Sequence, residues 1–459
     1  MTDSLAGGFE SRILYPSDPG FEQARIDRIF NGRRPSRAPA AILFAESDAD
    51  IVEGVRLATR NGWSVSVRSG GHSWAAWSVR DDALLIDLGL LREIEFDEAS
   101  GVVSARPAVM GGDELDPFLE PLGRFFNGGH CPSVGIGGFL LQGGQGWMAR
   151  GWGWAAESVV AIDVVTASGE LVRADATTNA DLFWAARGSG PGFPGIVTRF
   201  HLATRPRFGY VGHTVQVYPI ELFREVMTWM YSIHTGISPD VEIVCVSTTD
   251  EGSGRRVFLV SGVALTGTAE QATAALAPFQ TSPVLDRALF AQASAESSLA
   301  EQKESQVRAN PPHARYVVDN AWVDGDPADI LEAVEPLFRD LPTPAAFTIW
   351  FSMAPLRELP DMAFSMQSEA YIATYLVDDD ASRDAANREW LNDAMRGARP
   401  VTVGQYLGDS DMTNRQLRFL GDDQYARLRT IIAERDPAGL FVGYLARDTA
   451  NLNRNDWEL

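Results

Sequence analysis

Cysteine is almost missing from this 459-residue chain, which holds only Cys131 and Cys245. That excludes a disulfide framework as the basis of the fold and leaves one bridge at most. Basic residues are also scarce: Lys+Arg number 39 against Asp+Glu 61, for a net charge of −22. A deficit of this size argues against general affinity for nucleic acid or an anionic membrane. No apolar run reaches the roughly 18 residues that a spanning helix needs, so no membrane partner is expected. The opening Met1-Thr2-Asp3-Ser4-Leu5 has neither a basic start nor an apolar core, so no signal peptide is expected and the reading is cytoplasmic. The six histidines are scattered, and His130-Cys131 alone is no metal site, so no metal is expected. The sequence has no G-x-S-x-G elbow, HExxH helix, P-loop or paired CxxC.

What remains is an ordinary globular composition, 45% hydrophobic and 22% charged, in a chain long enough for two or three domains. Ser47-Asp48-Ala49-Asp50 resembles a helix cap, Ile51, Val55 and Ala58 follow at helical spacing, and Asn61-Gly62 ends the run. Strands are expected over Trp63–Val67, Ala83–Leu88, Gly101–Ala105 and Val159–Val165, with a helix from Asp113 to Leu122 stopped by Gly123. Near residue 206 the texture changes. Val241–Val246, Val257–Val260, Ala345–Met353 and Glu369–Val377 read as strands; Thr268 caps an alanine-rich helix, and Ala381–Met395 is helical. Strands followed by helices imply an antiparallel sheet covered on one face.

Glycine concentrates in two places. The first, Arg68-Ser69-Gly70-Gly71-His72-Ser73, follows a strand; its small residues leave backbone N–H groups free to converge on an anion, with Arg68 as added charge. The second runs Cys131-Pro132-Ser133-Val134-Gly135-Ile136-Gly137-Gly138 and continues through Gly143, Gly144 and Gly146. Ordering so much glycine is costly unless the backbone must pass close to something flat or anionic. Gly144-Gln145-Gly146-Trp147-Met148-Ala149 fits the dinucleotide fingerprint in letters only, because no strand leads into it. Trp74, Trp77, Trp147, Trp152 and Trp154 lie near both loops and read first as core.

Taken in order, these stretches resemble the berberine bridge enzyme family of FAD-linked oxidases, within the vanillyl-alcohol-oxidase (PCMH-type) fold. The Arg68–Ser73 loop matches the family's pyrophosphate loop, whose histidine bonds to the flavin 8α-methyl. Cys131-Pro132-Ser133-Val134-Gly135 matches the segment whose cysteine bonds to flavin C6 in bicovalent members. Asp181–Gly188, Gly195-Ile196-Val197-Thr198, Tyr425–Leu428 and Asp436–Phe441 match further segments. Two departures stand out. The family's Y-x-N-Y-x-D is Tyr406-Leu407-Gly408-Asp409-Ser410-Asp411 here, and its closing F-x-x-N is Phe441-Val442-Gly443-Tyr444.

The resemblance implies an α+β protein. An FAD-binding domain is built from both chain ends, residues 1–205 and a berberine-bridge-like segment over 399–459. Between them, residues 206–398 form a substrate domain, an antiparallel sheet covered by helices. It further implies FAD attached at His72 and Cys131, with cofactor contacts from Ile196, Val197 and Tyr444 as well as the glycine loops. The substrate is a small molecule: an alcohol, as a sugar or natural-product hydroxyl, gives hydride to flavin N5. Val134, at the position beside flavin C4a, resembles the oxidases, which makes O₂ the acceptor and H₂O₂ the product. Tyr406 is the expected base, provided its phenol, ordinarily near pKa about 10, is lowered by its surroundings. An oxidative cyclase, a dehydrogenase with another acceptor, and a non-catalytic flavin carrier remain alternatives. The substrate's identity and the oligomeric state stay open.

Overall fold

The structure, a computed structural model, describes residues 8–410, 412 and 415–445. The opening Met1–Leu5 and Asp411 therefore lie outside the described residues. A first sheet takes the order β1-β2-β4-β3, with β1 (Ile13–Leu14), β2 (Ala41–Phe44), β3 (Ser64–Arg68) and β4 (Ala83–Asp87). The β2–β4 and β3–β4 pairs are parallel. The helix Asp48–Asn61 makes the crossover into β3. Ser47 caps it by accepting the Asp50 N–H, and Gly62 ends it in the left-handed region at φ 68°.

Strands β5 (Ile94–Asp97) and β6 (Val102–Ala105) lead to β7 (Arg124–Phe125) through a stretch of helical turns ended by Gly123. A second, antiparallel sheet of order β5-β6-β10-β8-β9 is completed by β8 (Val159–Val165), β9 (Leu171–Asp175) and β10 (Ile196–Ala203). The short β11 (Arg205–Pro206) pairs back onto β7.

The third sheet is antiparallel and eight-stranded, of order β15-β12-β14-β13-β17-β18-β16-β19. It comprises β12 (Tyr210–Pro219), β13 (Val241–Thr249), β14 (Arg256–Thr266), β15 (Phe290–Ser297), β16 (Arg315–Val323), β17 (Phe347–Ser352), β18 (Ala370–Asp378) and β19 (Thr402–Gly404). Strand alternation divides its side chains between two faces. On β13, Val241, Ile243 and Cys245 enter the core shared with the helices Phe223–Ile233, Pro327–Arg339 and Asp384–Gly397. Glu242, Val244, Val246 and Thr248 face the other way, into a cavity. Cys245 thus lies in the helix-side core while Cys131 borders the cavity, and both are free thiols. The sheet runs past residue 398, because Thr402–Gly404 adds at its edge beside β16. The chain then returns to the first sheet, where Val65 donates to the Leu440 carbonyl and Val442 donates to that of Val65.

Arg150, in the short helix Ala149–Trp152, joins the glycine-rich segment to the third sheet. Its buried guanidinium donates to five backbone carbonyls: Ala354, Ser238 (2.6 Å), Val241 (3.2 Å), His234 (2.9 Å) and Ile237 (2.7 Å). Burial without a carboxylate pulls its pKa down to about 10. Among the described residues, no helix is long and apolar enough to cross a membrane. Replacing Arg150 by Met should destabilise the fold by on the order of 3 kcal/mol, since several buried carbonyls lose a charged donor. The midpoint of denaturant unfolding reads this, and an unchanged midpoint would refute the bridging role.

Candidate active site

The cavity between the glycine loops and the third sheet has a volume of about 1360 Å³. A single small-ligand site usually measures roughly 300–1,000 Å³, so this one has room for a cofactor and a substrate together. His72, Cys131 and Val134 all line it.

The Arg68–Ser73 loop emerges from β3 and meets the Cys131–Gly138 segment backbone to backbone. A Cβ on Gly70 would come 2.6 Å from Gly135 N, and one on Gly135 would come 2.8 Å from Gly70 Cα. Both residues must therefore be glycine for the loops to pass. The contact brings the two expected anchors to one hydroxyl. Ser133 Oγ lies 3.1 Å from His72 Nε2 and 3.8 Å from Cys131 Sγ. His72 stacks on Phe30 with ring centroids 4.3 Å apart. Burial lowers the His72 pKa to about 4, so the imidazole is neutral at physiological pH with a nitrogen lone pair available. Burial raises that of Cys131, partly offset by its contacts with Ser133.

These residues fit a flavin nucleotide. Among the described residues, the backbone N–H groups of Gly70, Gly71, His72 and Ser73 find no protein acceptor, the arrangement of an anion-binding nest. Gln145 Nε2 and Trp147 Nε1 border the cavity as buried donors with no partner. Gly135, Gly137, Gly138, Ile196 and Val197 line the cavity, as do Trp74, Trp77 and Trp147.

Several of the expected residues are engaged by other parts of the protein. The Arg68 guanidinium is buried and fully engaged, with Nε donating to Asp87 (2.7 Å) and the two Nη to the carbonyls of Arg25 (2.9 Å) and Ala24 (2.7 Å). Its charge is paired beneath the loop by Asp87, although Arg68 still borders the cavity. Gly143, Gly144 and Gly146 sit outside the lining; their missing side chains make room for Phe364, Ala155 with Phe139, and the Asn127 carbonyl. Tyr444 is also outside, donating its hydroxyl to the Ser189 carbonyl at 2.5 Å. The Gly144–Ala149 fingerprint is preceded by the helix Ile136–Leu141 and not by a strand, as expected.

Tyr406 lines the cavity, but its oxygen accepts the Gln145 N–H at 3.1 Å and burial pushes its pKa above the usual phenol value. Its surroundings thus oppose the ionisation that a base requires. Three residues on stands Asp409, which sequence reasoning missed. Its Oδ2 accepts the Tyr371 hydroxyl at 2.7 Å, and its Oδ1 accepts Trp74 Nε1 at 3.3 Å. Tyr375, two strand positions beyond Ala373 on the same face of β18, is a further hydrogen-bond partner. Burial raises the Asp409 pKa against the opposing pull of these donors. Opposite it, His130 Nε2 lies 2.9 Å from Glu242 Oε1, and Glu242 Oε2 accepts the Met148 N–H at 2.9 Å. A period-two count along Glu369–Val377 could have put Tyr371 and Tyr375 on one face; nothing local marked Asp409 as their partner.

A family model described as FAD binding domain matches residues 39–175. The FAD-linked oxidoreductase janO of Penicillium janthinellum is 37% identical over 93% of this chain and 95% of its own length. A carbohydrate oxidase of Microdochium nivale is 37% identical over 39% of this chain and 36% of its own. Among solved structures, berberine bridge enzyme from Eschscholzia californica superposes with a TM-score of 0.80 at 18% identity, covering 96% of this chain and 98% of that one.

Replacing Gly70 or Gly135 by Ala should drive the loops apart, at about 1–3 kcal/mol of overpacking, and lower the flavin content of purified protein. The ratio of flavin to protein absorbance checks this; full loading of both variants would contradict the crossing.

Proposed function

The chain belongs to the berberine-bridge-enzyme-like FAD-linked oxidoreductases, and from that premise we propose that it is an oxidase of alcohols whose flavin is held at His72 and Cys131. FAD when bound supplies the hydride acceptor and hands its electrons to O₂, giving H₂O₂. The protein's own part is to bind the substrate, orient it and remove one proton.

The observation that supports this reading best is Asp409. It is the carboxylate of the cavity wall that carries phenol and indole donors, on a chain segment that also contributes Tyr406 to the lining. In its ionised form Asp409 accepts the proton of the substrate's hydroxyl, while hydride leaves the carbon that bears this hydroxyl and the C–O bond becomes a carbonyl. Tyr371, Tyr375 and Trp74 fix the direction of the carboxylate. Tyr406 keeps a positioning role: its backbone is held on both sides by the Asn320 side chain, at 2.7 and 2.8 Å. Val134 lines the cavity at the position that the family resemblance sets beside flavin C4a, which supports O₂ as acceptor. The neutral state of His72 favours an attachment made through a ring nitrogen.

The pH dependence follows in sign. Asp409 works as a base only when ionised and its pKa is raised, so kcat/KM should climb with pH through a value above the ordinary carboxylate pKa of about 4. Asp409→Asn should abolish that acid limb and cut turnover by roughly 10²–10⁴-fold with the flavin spectrum kept. Tyr406→Phe should cost much less. Peroxide release across a panel of alcohols, amines and oligosaccharides is the assay. Full turnover in Asp409→Asn would remove it from the mechanism, and reoxidation only by quinone-like dyes would make the protein a dehydrogenase.

A further inference from the structure

The third sheet shows the cavity two unbroken rows of side chains. In register, β14, β13 and β17 align Leu259, Val246 and Ile349 as direct neighbours on the lining. The adjacent row aligns Val215, Ser261, Val244, Phe351 and Tyr371 across β12, β14, β13, β17 and β18. At a strand spacing of about 4.8 Å, the five-strand row spans roughly 19 Å.

Three properties of this wall bear on what it binds. Val215, Val244, Val246, Leu259 and Ile349 are only part-buried, although they sit in the middle of an eight-stranded sheet whose opposite face is closed by helices. Their apolar surface remains open to the chamber. Second, the wall is poor in hydrogen-bonding groups. Apart from Tyr371, the rows hold one hydroxyl, that of Ser261, and it lies 3.1 Å from His213 Nε2. Third, along these two rows the carboxylate contact comes at one end, while His213 and Thr248 stand outside them on the same face. Tyr371 terminates its row at Asp409, and the nearby Glu242 carboxylate is already taken up by His130 and the Met148 N–H.

Resting on the alcohol-oxidase reading above, we infer that the substrate is a mostly hydrocarbon, extended alcohol that lays its apolar body along these rows and presents one hydroxyl to Asp409. An oligosaccharide is a poor fit. Its many hydroxyls would press on Val, Leu, Ile and Phe side chains without partners, and each hydroxyl left unpaired weakens binding. A hydrocarbon body instead gains by covering surface that the fold leaves exposed.

Equilibrium binding to the FAD-loaded enzyme, read by calorimetry, tests this with two probes: testosterone, a rigid hydrocarbon framework bearing a secondary alcohol, and cellobiose. Testosterone should bind saturably and cellobiose should not. Val246→Thr keeps the shape of the side chain and adds one hydroxyl to the wall; it should weaken testosterone binding about tenfold. Ile349→Ala, which removes apolar surface without adding polarity, should weaken it in the same direction. Binding of cellobiose as tight as that of testosterone, no testosterone binding, or binding untouched by both substitutions would each overturn the inference. Peroxide release is recorded separately. Saturable testosterone binding without peroxide would tell against alcohol oxidation and still support an apolar substrate, so the two readings fail apart.

Discussion

Two loops passing each other at Gly70 and Gly135, with no room for a Cβ on either, set the geometry on which the site depends. One loop is the exit of a parallel strand; the other lies between two sheets and carries Cys131 and Val134. Their contact brings His72 and Cys131, far apart in sequence, to the same Ser133 hydroxyl. It also leaves unpaired backbone N–H groups in a loop that lines the cavity. Arg68 is held below by Asp87 and two carbonyls, so it supports the loop from beneath. The free backbone dipoles are suited to an anion, since they would lose no side-chain entropy on binding it.

The second requirement is that the eight-stranded sheet stand at a fixed distance from those loops. Arg150 secures this by donating to five carbonyls of the substrate side. The sheet's helix-side face is an ordinary core, and its other face is a chamber wall. Along that wall, aliphatic rows of Val, Leu and Ile run between the hydrogen-bonded carboxylate at Asp409 and polar residues such as His213 and Thr248. Such a wall is suited to the proton removal proposed for Asp409 and to recognition of a substrate by shape along the aliphatic rows.

Much of this was legible in the chain itself. The two glycine stretches, their His and Cys, and the family-like order of later segments announced the FAD-binding fold, and a relative 37% identical over 93% of the chain agrees. Local strand and cap signals were also reliable: Ser47 caps its helix and Gly62 stops it. Roles that depend on distant partners were not legible. Arg68 looked like a phosphate ligand because Asp87 and the carbonyls of residues 24 and 25 meet it only in the folded state. Gly143, Gly144 and Gly146 looked like cofactor contacts, but they make space for rings and a carbonyl of the protein. Tyr406 looked like a base, and its burial beside the Gln145 amide, which no local pattern marks, opposes its ionisation. Asp409 became visible only when β18 delivered two tyrosines to it from more than thirty residues away.

If one flavin is held by both His72 and Cys131, peptide mapping of acid-denatured, proteolysed protein should give a yellow product in which one flavin mass joins the peptide containing His72 to the peptide containing Cys131. Release of all flavin on acid precipitation, or a flavin mass on neither peptide, would contradict that attachment.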